Sequence, residues 1–223
     1  KGGELIPGAD AIALDESHVY FSAGGLRKIS KDGGEALLLT PAFMPSEIVL
    51  DEENVYWKPY VGEGMPPAPI FAVSKKGGEA KTLTDARLSA NSLCVDAKFI
   101  YWTQTDGIYR AAKTGGGGVE KIYAAPAGEI ASGLKADAES FYFLQGASKR
   151  DLYKLSKTGG EVKVLARAVS NFWLGADEIV FQRYIGSFDI ALFRVANDGG
   201  GETELDRDGY LSDLIVGKDK IYF

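Results

Sequence analysis

The sequence predicts an all-β fold built from six copies of one four-stranded unit, and three observations carry that expectation. A tripeptide of aliphatic, Tyr and aromatic residues recurs along the chain. An Asp stands five residues ahead of the centre of most copies, and a Gly-Gly pair follows each of the first five. Composition agrees: 28 Gly, 11 Phe and 11 Tyr among 223 residues favour short strands joined by tight turns, and 45% apolar content is enough to build a core.

The elements follow in chain order. The second strand of each unit is marked by Val19-Tyr20-Phe21, Val55-Tyr56-Trp57, Ile100-Tyr101-Trp102, Phe141-Tyr142-Phe143, the degenerate Ile179-Val180-Phe181, and Ile221-Tyr222-Phe223. Their central residues step by 36, 45, 41, 38 and 42 positions, a length that suits four strands and four turns. Some helical repeats share that length, so the residues inside the unit decide. First strands such as Ile48-Val49-Leu50, Leu93-Cys94-Val95 and Leu214-Ile215-Val216 are too short for helices. Asp15, Asp51, Asp96 and Asp137, replaced by Gly175 and Gly217 in the last two units, turn the chain into the second strand. Third strands alternate apolar and polar residues, as in Ile108-Tyr109-Arg110, Leu152 to Lys157 and Leu192 to Asn197. Each runs into a Gly-Gly pair, which reads as a primed hairpin turn leading to the fourth strand.

A unit with two apolar faces must stack on its neighbours, and the row must close to remove its ends. The expected fold is therefore a six-bladed β-propeller of four-stranded antiparallel blades, one domain over residues 1–223. Lys1-Gly2-Gly3-Glu4 matches the Gly-Gly turn and Leu5-Ile6 the fourth strand, while Phe223 stops in the second strand of unit six. The N-terminal strand is thus expected to close the last blade, which lacks its third strand, and the natural chain to extend beyond Phe223. A start at Lys1 without Met reads as a trimmed chain.

Ile100-Tyr101-Trp102-Thr103, followed by Gly107-Ile108-Tyr109-Arg110, resembles the YWTD-type propellers of low-density-lipoprotein receptors and, more loosely, the TolB-like six-bladed propellers. The resemblance implies the fold and, with the missing Met, an extracytoplasmic location: periplasmic, cell-surface or secreted. Gln104 stands where the receptor pattern has Asp, so that residue's stabilising role is not carried over.

Function is constrained mostly by exclusion. Twenty-five Lys and Arg against 31 Asp and Glu give a net charge of −6, which disfavours nucleic acid, and no apolar run is long enough for membrane insertion. Cys94 is the single cysteine, which excludes an internal disulfide, and its apolar neighbours read it as a small buried hydrophobe. His18, the single histidine, falls in an Asp turn, which argues against a hydrolytic triad. No helix follows Gly115 to Gly118, so that run is no phosphate loop.

Departures from the repeat mark the candidate binding residues, all on the face holding the loops between second and third strands and the links between units. The insertion Lys58 to Pro69 carries four prolines with Tyr60 and Met65; a second departure, Gln182 to Asp189, carries Arg183, Tyr184 and Phe188. Trp173 replaces the smaller Val49 and Cys94 at its position. These predict a non-enzymatic, monomeric module that binds a protein or small-molecule ligand, with no catalytic residue and no cofactor.

An enzyme reading is the alternative. Nine residues before the central positions stand Glu47, Asn171 and Asp213, whose oxygens suit a hard cation. The set is similar to that of gluconolactonase and paraoxonase-type propellers, which implies calcium at the central channel and a lactonase or esterase-like hydrolase. One position earlier, Asp10, Ser46, Asn91, Ser132, Ser170 and Ser212 form a small-polar ring read as capping the links between units.

Overall fold

A computed structural model describes residues 11–41, 45–61, 64–84, 90–186, 189–207, 215–216 and 221–222. Among these residues there is no helix, and every strand pair is antiparallel. The first sheet is β1 (Ile12–Leu14), β2 (His18–Ser22), β3 (Leu26–Ser30) and β4 (Leu37–Thr40); the second is β5 (Pro45–Leu50), β6 (Asn54–Pro59), β7 (Phe71–Ser74) and β8 (Lys81–Thr82). The third holds β9 (Ser92–Val95), β10 (Phe99–Gln104), β11 (Gly107–Ala112) and β12 (Glu120–Ala124). The fourth holds β13 (Ile130–Ala136), β14 (Ser140–Gly146), β15 (Asp151–Ser156) and β16 (Lys163–Ala166). The fifth holds β17 (Val169–Leu174), β18 (Glu178–Tyr184), β19 (Ile190–Ala196) and β20 (Thr203–Asp206). Each pairs its strands in sequence order.

Six four-stranded units were expected and five are complete; the sixth repeat contributes β21 (Ile215–Val216) and β22 (Ile221–Tyr222). The N-terminal segment expected to complete it, residues 1–6, lies outside the described residues.

The chain divides into two compact units, one within residues 1–104 and 109–121 and the other within residues 105–108 and 122–223. In the first, β1 lies beside β5 and β5 beside β9; in the second, β13 lies beside β17. Within each unit the first strands of successive sheets are therefore neighbours, and a sheet between two others is covered on both faces. That is why the second-strand tripeptides read as continuous apolar runs rather than alternating ones: Val55, Tyr56 and Trp57 are all buried, as are Phe141, Tyr142 and Phe143.

Within sheets two to five the second-strand aromatic stacks on one from the third strand. Trp57 meets Phe71 at 5.4 Å between ring centroids, Trp102 meets Tyr109 at 6.0 Å, Phe143 meets Tyr153 at 5.8 Å and Phe181 meets Phe193 at 5.5 Å. Cross-strand aromatic pairs of this kind contribute about 0.5–1 kcal/mol each beyond area burial.

The Gly-Gly pairs depart from the expected two-residue hairpin. The first glycine closes a four-residue turn through its N–H, as in Gly77 to the Ser74 carbonyl and Gly159 to that of Ser156, and the second continues at positive φ in Gly34, Gly78, Gly116 and Gly160 but not in Gly200. The small-polar ring also has a reason. Ser46 and Ser170 sit at register shifts in β5 and β17, where their hydroxyls donate across the bulge to the carbonyls of Lys58 and Gln182.

Candidate functional site

The two ends of the sheets differ in kind. At the turn end, each repeat Asp accepts two backbone N–H bonds on Oδ1 and the hydroxyl of the Tyr five residues on at Oδ2: Tyr20 to Asp15 at 2.8 Å, Tyr56 to Asp51 at 2.7 Å, Tyr101 to Asp96 at 2.7 Å and Tyr142 to Asp137 at 2.7 Å. In the first unit a Lys from the next sheet joins the same oxygen, Lys75 on Asp15 and Lys113 on Asp51. Burial works to raise the Asp15 and Asp51 carboxyls. The hydrogen bonds from these lysines, from Tyr20 and Tyr56 and from backbone N–H groups outweigh it and hold both below the usual carboxylate range. A cavity of about 930 Å³ between the second and third sheets contains Lys113 bridging Asp51 and the Asp96 carbonyl. Its central charge is matched, and the arrangement latches neighbouring sheets together.

The loop end of sheets four and five is built differently. β14 reaches β15 through Ala147 to Arg150, and a Cβ on Gly146 (φ +152°) would lie 2.0 Å from the Lys149 carbonyl oxygen. Only glycine permits so close a return, which places Lys149 and Arg150 at the tip. Opposite runs the link Arg167-Ala168 between β16 and β17. Ala168 has φ 54°, the one non-glycine at positive φ among the described residues. A left-handed residue of this type costs about 1–2 kcal/mol, so its surroundings must enforce it. They do: Asp151 accepts the Ala168 N–H at 2.9 Å and Arg167 at 2.8 Å, the Val169 N–H donates to the Arg150 carbonyl at 2.7 Å, and Arg183 donates to the Arg167 carbonyl at 2.9 Å.

Loop and link enclose a pocket of about 360 Å³ with Tyr184, Ile185 and Gly186 on its third side. Arg150, half-buried, donates to the Ser132 hydroxyl at 3.3 Å and the Ser170 carbonyl at 3.0 Å. Asp189 comes to the same end, since its Oδ2 would lie 2.8 Å from a Cβ placed on Gly186. Its carboxylate has no hydrogen-bond or ion-pair partner among the described residues. A cation and a tyrosine thus line one small cavity, and the exposed Asp189 carboxylate stands close to Gly186, one of its lining residues.

The predicted residues separate into groups. Tyr184, 55% exposed, lines the pocket. Arg183 is taken up by structure, paired with Glu202 at 2.7 and 2.8 Å and lying over Phe181 and Phe193. Trp173 is half-buried in β17. Tyr60 and Met65 are 60% and 57% exposed in the unit-two insertion. Phe188 and Asp213 lie outside the described residues. Cys94 is half-buried in β9.

The proposed metal ligands that are described have other partners. Glu47 accepts the Leu93 N–H at 3.0 Å with the Lys58 ammonium 3.9 Å away, and the Asn171 amide oxygen accepts the Phe172 N–H at 2.9 Å. Among the described residues no group of three His, Cys, Asp or Glu could hold a metal ion. With Asp213 outside the described residues the expected set of three ligands is not assembled, and no metal-dependent step is derived from it. His18 Nδ1 does lie 2.7 Å from Ser17 Oγ, but Asp15 bonds the serine rather than the imidazole, so nothing orients the ring as a base.

Sequence reading missed Arg150, Lys149 and Asp151. They follow no repeat pattern, and the one local signal was Gly146, a glycine ending a second strand where other units carry none.

No protein-family model matches the chain, and no curated protein matches it by sequence. Solved structures share its fold. An oligogalacturonate lyase in complex with manganese superposes with a TM-score of 0.69 at 13% identity, over 86% of this chain and 62% of the lyase. A puromycin-hydrolyzing peptidase of Mycobacterium tuberculosis gives 0.67 at 14% identity, over 91% of this chain and 38% of the peptidase. A 6-phosphogluconolactonase-like protein of Bacteroides uniformis gives 0.65 at 13% identity, over 97% and 77%. The chain thus spans about three fifths of the lyase's length and under two fifths of the peptidase's.

At these identities the likeness shows the fold, repeated four-stranded sheets of β-propeller type. The resemblance to YWTD and TolB-like families goes no further than that. The expected non-enzymatic binding module is corrected: these fold relatives carry lyase, peptidase and lactonase names, which favours the enzyme alternative. The sequence reading took departures from the repeat as contact surface, a pattern that carries no information on which residues meet in space.

Proposed function

We propose that this chain is the β-propeller portion of a hydrolase or lyase and that its reaction takes place in the pocket between the fourth and fifth sheets. The observation that carries this reading is the cavity lined by Arg150 and Tyr184, whose wall is held in a strained conformation at Ala168 and whose lining residue Gly186 has the exposed Asp189 carboxylate close by. The enzyme names among the fold relatives support it.

Two reactions fit, and both begin with a proton leaving. In hydrolysis of a sugar lactone, water adds to the carbonyl carbon, Asp189 takes a water proton, and the ring C–O bond breaks with that proton passing to the departing oxygen. In elimination from a uronate, Asp189 takes the proton beside the carboxylate, a carbon–carbon double bond forms, and the glycosidic C–O bond breaks. In the elimination the Tyr184 hydroxyl donates the proton that the departing glycosidic oxygen needs.

The test is an assay of the purified protein with oligogalacturonate and with 6-phosphogluconolactone, in chelator and again with manganese or calcium. Turnover of one substrate is expected, falling about 10²- to 10⁴-fold in Asp189→Asn, the range for loss of a general base. No turnover under any of these conditions, or an Asp189→Asn rate equal to wild type, overturns the reading.

A further inference from the structure

We infer that the pocket recognises an oxyanion, the carboxylate or phosphate group of a small sugar-type substrate, through Arg150 and Lys149; this rests on the pocket being the reaction site and names the class of its substrate. Arg110, Arg167, Arg183, Arg194 and Arg207 each hold a carboxylate within 2.7 to 3.6 Å. Arg150 does not. Its guanidinium meets a serine hydroxyl and a backbone carbonyl, both neutral, and no carboxylate pairs with it among the described residues. Arg27 also lacks a carboxylate partner among the described residues, but it does not line this cavity.

A half-buried guanidinium in a chain of net charge −6 would ordinarily be neutralised by one of its many acids, because desolvating an uncompensated charge is costly. Here two of its donors are spent on fixing its direction, which leaves others of its five N–H groups for a planar or tetrahedral oxyanion. The frame around it is already set. The Arg150 carbonyl holds Val169, the Ser170 hydroxyl holds the Gln182 carbonyl, and Asp151 holds Ala168, so little ordering remains for the ligand to pay. Lys149, adjacent, exposed and without a partner among the described residues, adds a second positive charge on the same loop. A volume of about 360 Å³ stands at the small end of ligand pockets and suits a single sugar acid or sugar phosphate.

Equilibrium binding of inorganic phosphate, D-galacturonate and neutral galactose to wild type, Arg150→Gln and Lys149→Gln tests this by calorimetry at low salt, with circular dichroism to confirm folding. At least one anion is expected to bind wild type, about tenfold or more weaker in Arg150→Gln and several-fold weaker in Lys149→Gln, while galactose does not bind. Preference for galacturonate assigns a carboxylate, and preference for phosphate a phosphate ester. Lys149→Gln carries the test alone if Arg150→Gln does not fold, since that side chain is exposed and unpartnered. Absence of anion binding, equal binding in wild type and the folded variants, or equal binding of galactose overturns the inference. Anion binding by wild type without turnover of either assay substrate would sink the enzyme reading and leave the anion site standing. Turnover unchanged in both variants would do the reverse.

Discussion

Asp137 carries two backbone N–H groups on one oxygen and the Tyr142 hydroxyl on the other, and Tyr142→Phe removes only the last of these. The ring stays packed, so the loss is that of one hydrogen bond to a charged group, about 1.5–3 kcal/mol, read as a lower midpoint in urea. Tyr20→Phe should cost less than Tyr142→Phe, because Lys75 still satisfies the Asp15 oxygen that Tyr20 would leave. The opposite ranking would show that Lys75 is not a true partner. The indoles of Trp57 and Trp102 behave differently: both are buried with an unpartnered Nε1, at positions where sheets one, four and five have Phe. Trp102→Phe is expected to change stability by less than about 1.5 kcal/mol, since a buried unsatisfied N–H is removed as apolar volume is lost. At this scale the Asp, Tyr and aromatic positions were legible in the sequence. The lysines that reach Asp15 and Asp51 were not, because each sits about 60 residues away and belongs to the next repeat, a pairing that no local pattern encodes.

At the scale of elements, the loop between β14 and β15 and the link between β16 and β17 form one device. Gly146→Ala brings a methyl group to 2.0 Å from a backbone carbonyl oxygen and forces the loop open. The expected cost is about 2 kcal/mol or more, from a strained backbone position with no room to adjust, together with loss of pocket binding. Asp151→Ala should release Ala168 from its left-handed conformation. If that conformation is what Asp151 supplies, adding Ala168→Gly should recover most of the lost ligand affinity, because glycine adopts positive φ without strain. Failure of the double variant to recover would assign Asp151 to the Arg167 ion pair instead. Strand positions here were readable from alternation and turn residues. The tight return at Gly146 and the strain at Ala168 were not, since both arise from where two chain segments meet.

Across the whole molecule, the repeated Asp–Tyr pair sets the pH range of stability. Asp15, Asp51 and Asp137 have carboxyls lowered by their hydrogen bonds despite the opposing effect of burial, so the unfolded chain takes up protons first as pH falls below about 4. Their contribution is present above that value and is lost as pH drops through the folded-state values. Tyr20, Tyr56, Tyr101 and Tyr142 are raised, by burial first and then by the adjacent carboxylate. The unfolded chain therefore ionises first above about pH 10, and stability is lost as pH rises through that region. Thermal midpoints measured from pH 3 to 11 should form a plateau with a fall at each end, and Tyr142→Phe should weaken the alkaline limb. A second expectation belongs to the same scale. Deleting residues 2–6 should lower the thermal midpoint by several degrees if they supply the fourth strand of the sixth repeat, and an unchanged midpoint would show that they do not.

The sequence by itself determined the repeat, the strand order within each unit and the turn chemistry at one end of every sheet. Those features are local: they depend on residues a few positions apart and on periodicity, which a chain displays whether or not it is folded. Tertiary structure alone decided where a charge goes unpaired. Arg150 is one of many basic residues in the sequence, and only folding sets it beside Ser132 and Ser170, with no carboxylate among the described residues to pair with it. Likewise Ser148 to Arg150, Ala168 to Ser170 and Tyr184 to Gly186 come around one cavity only when two different sheets pack. A pocket made from segments that meet in space leaves no spacing to read, and that is the physical reason it was not legible in a chain whose repeat was.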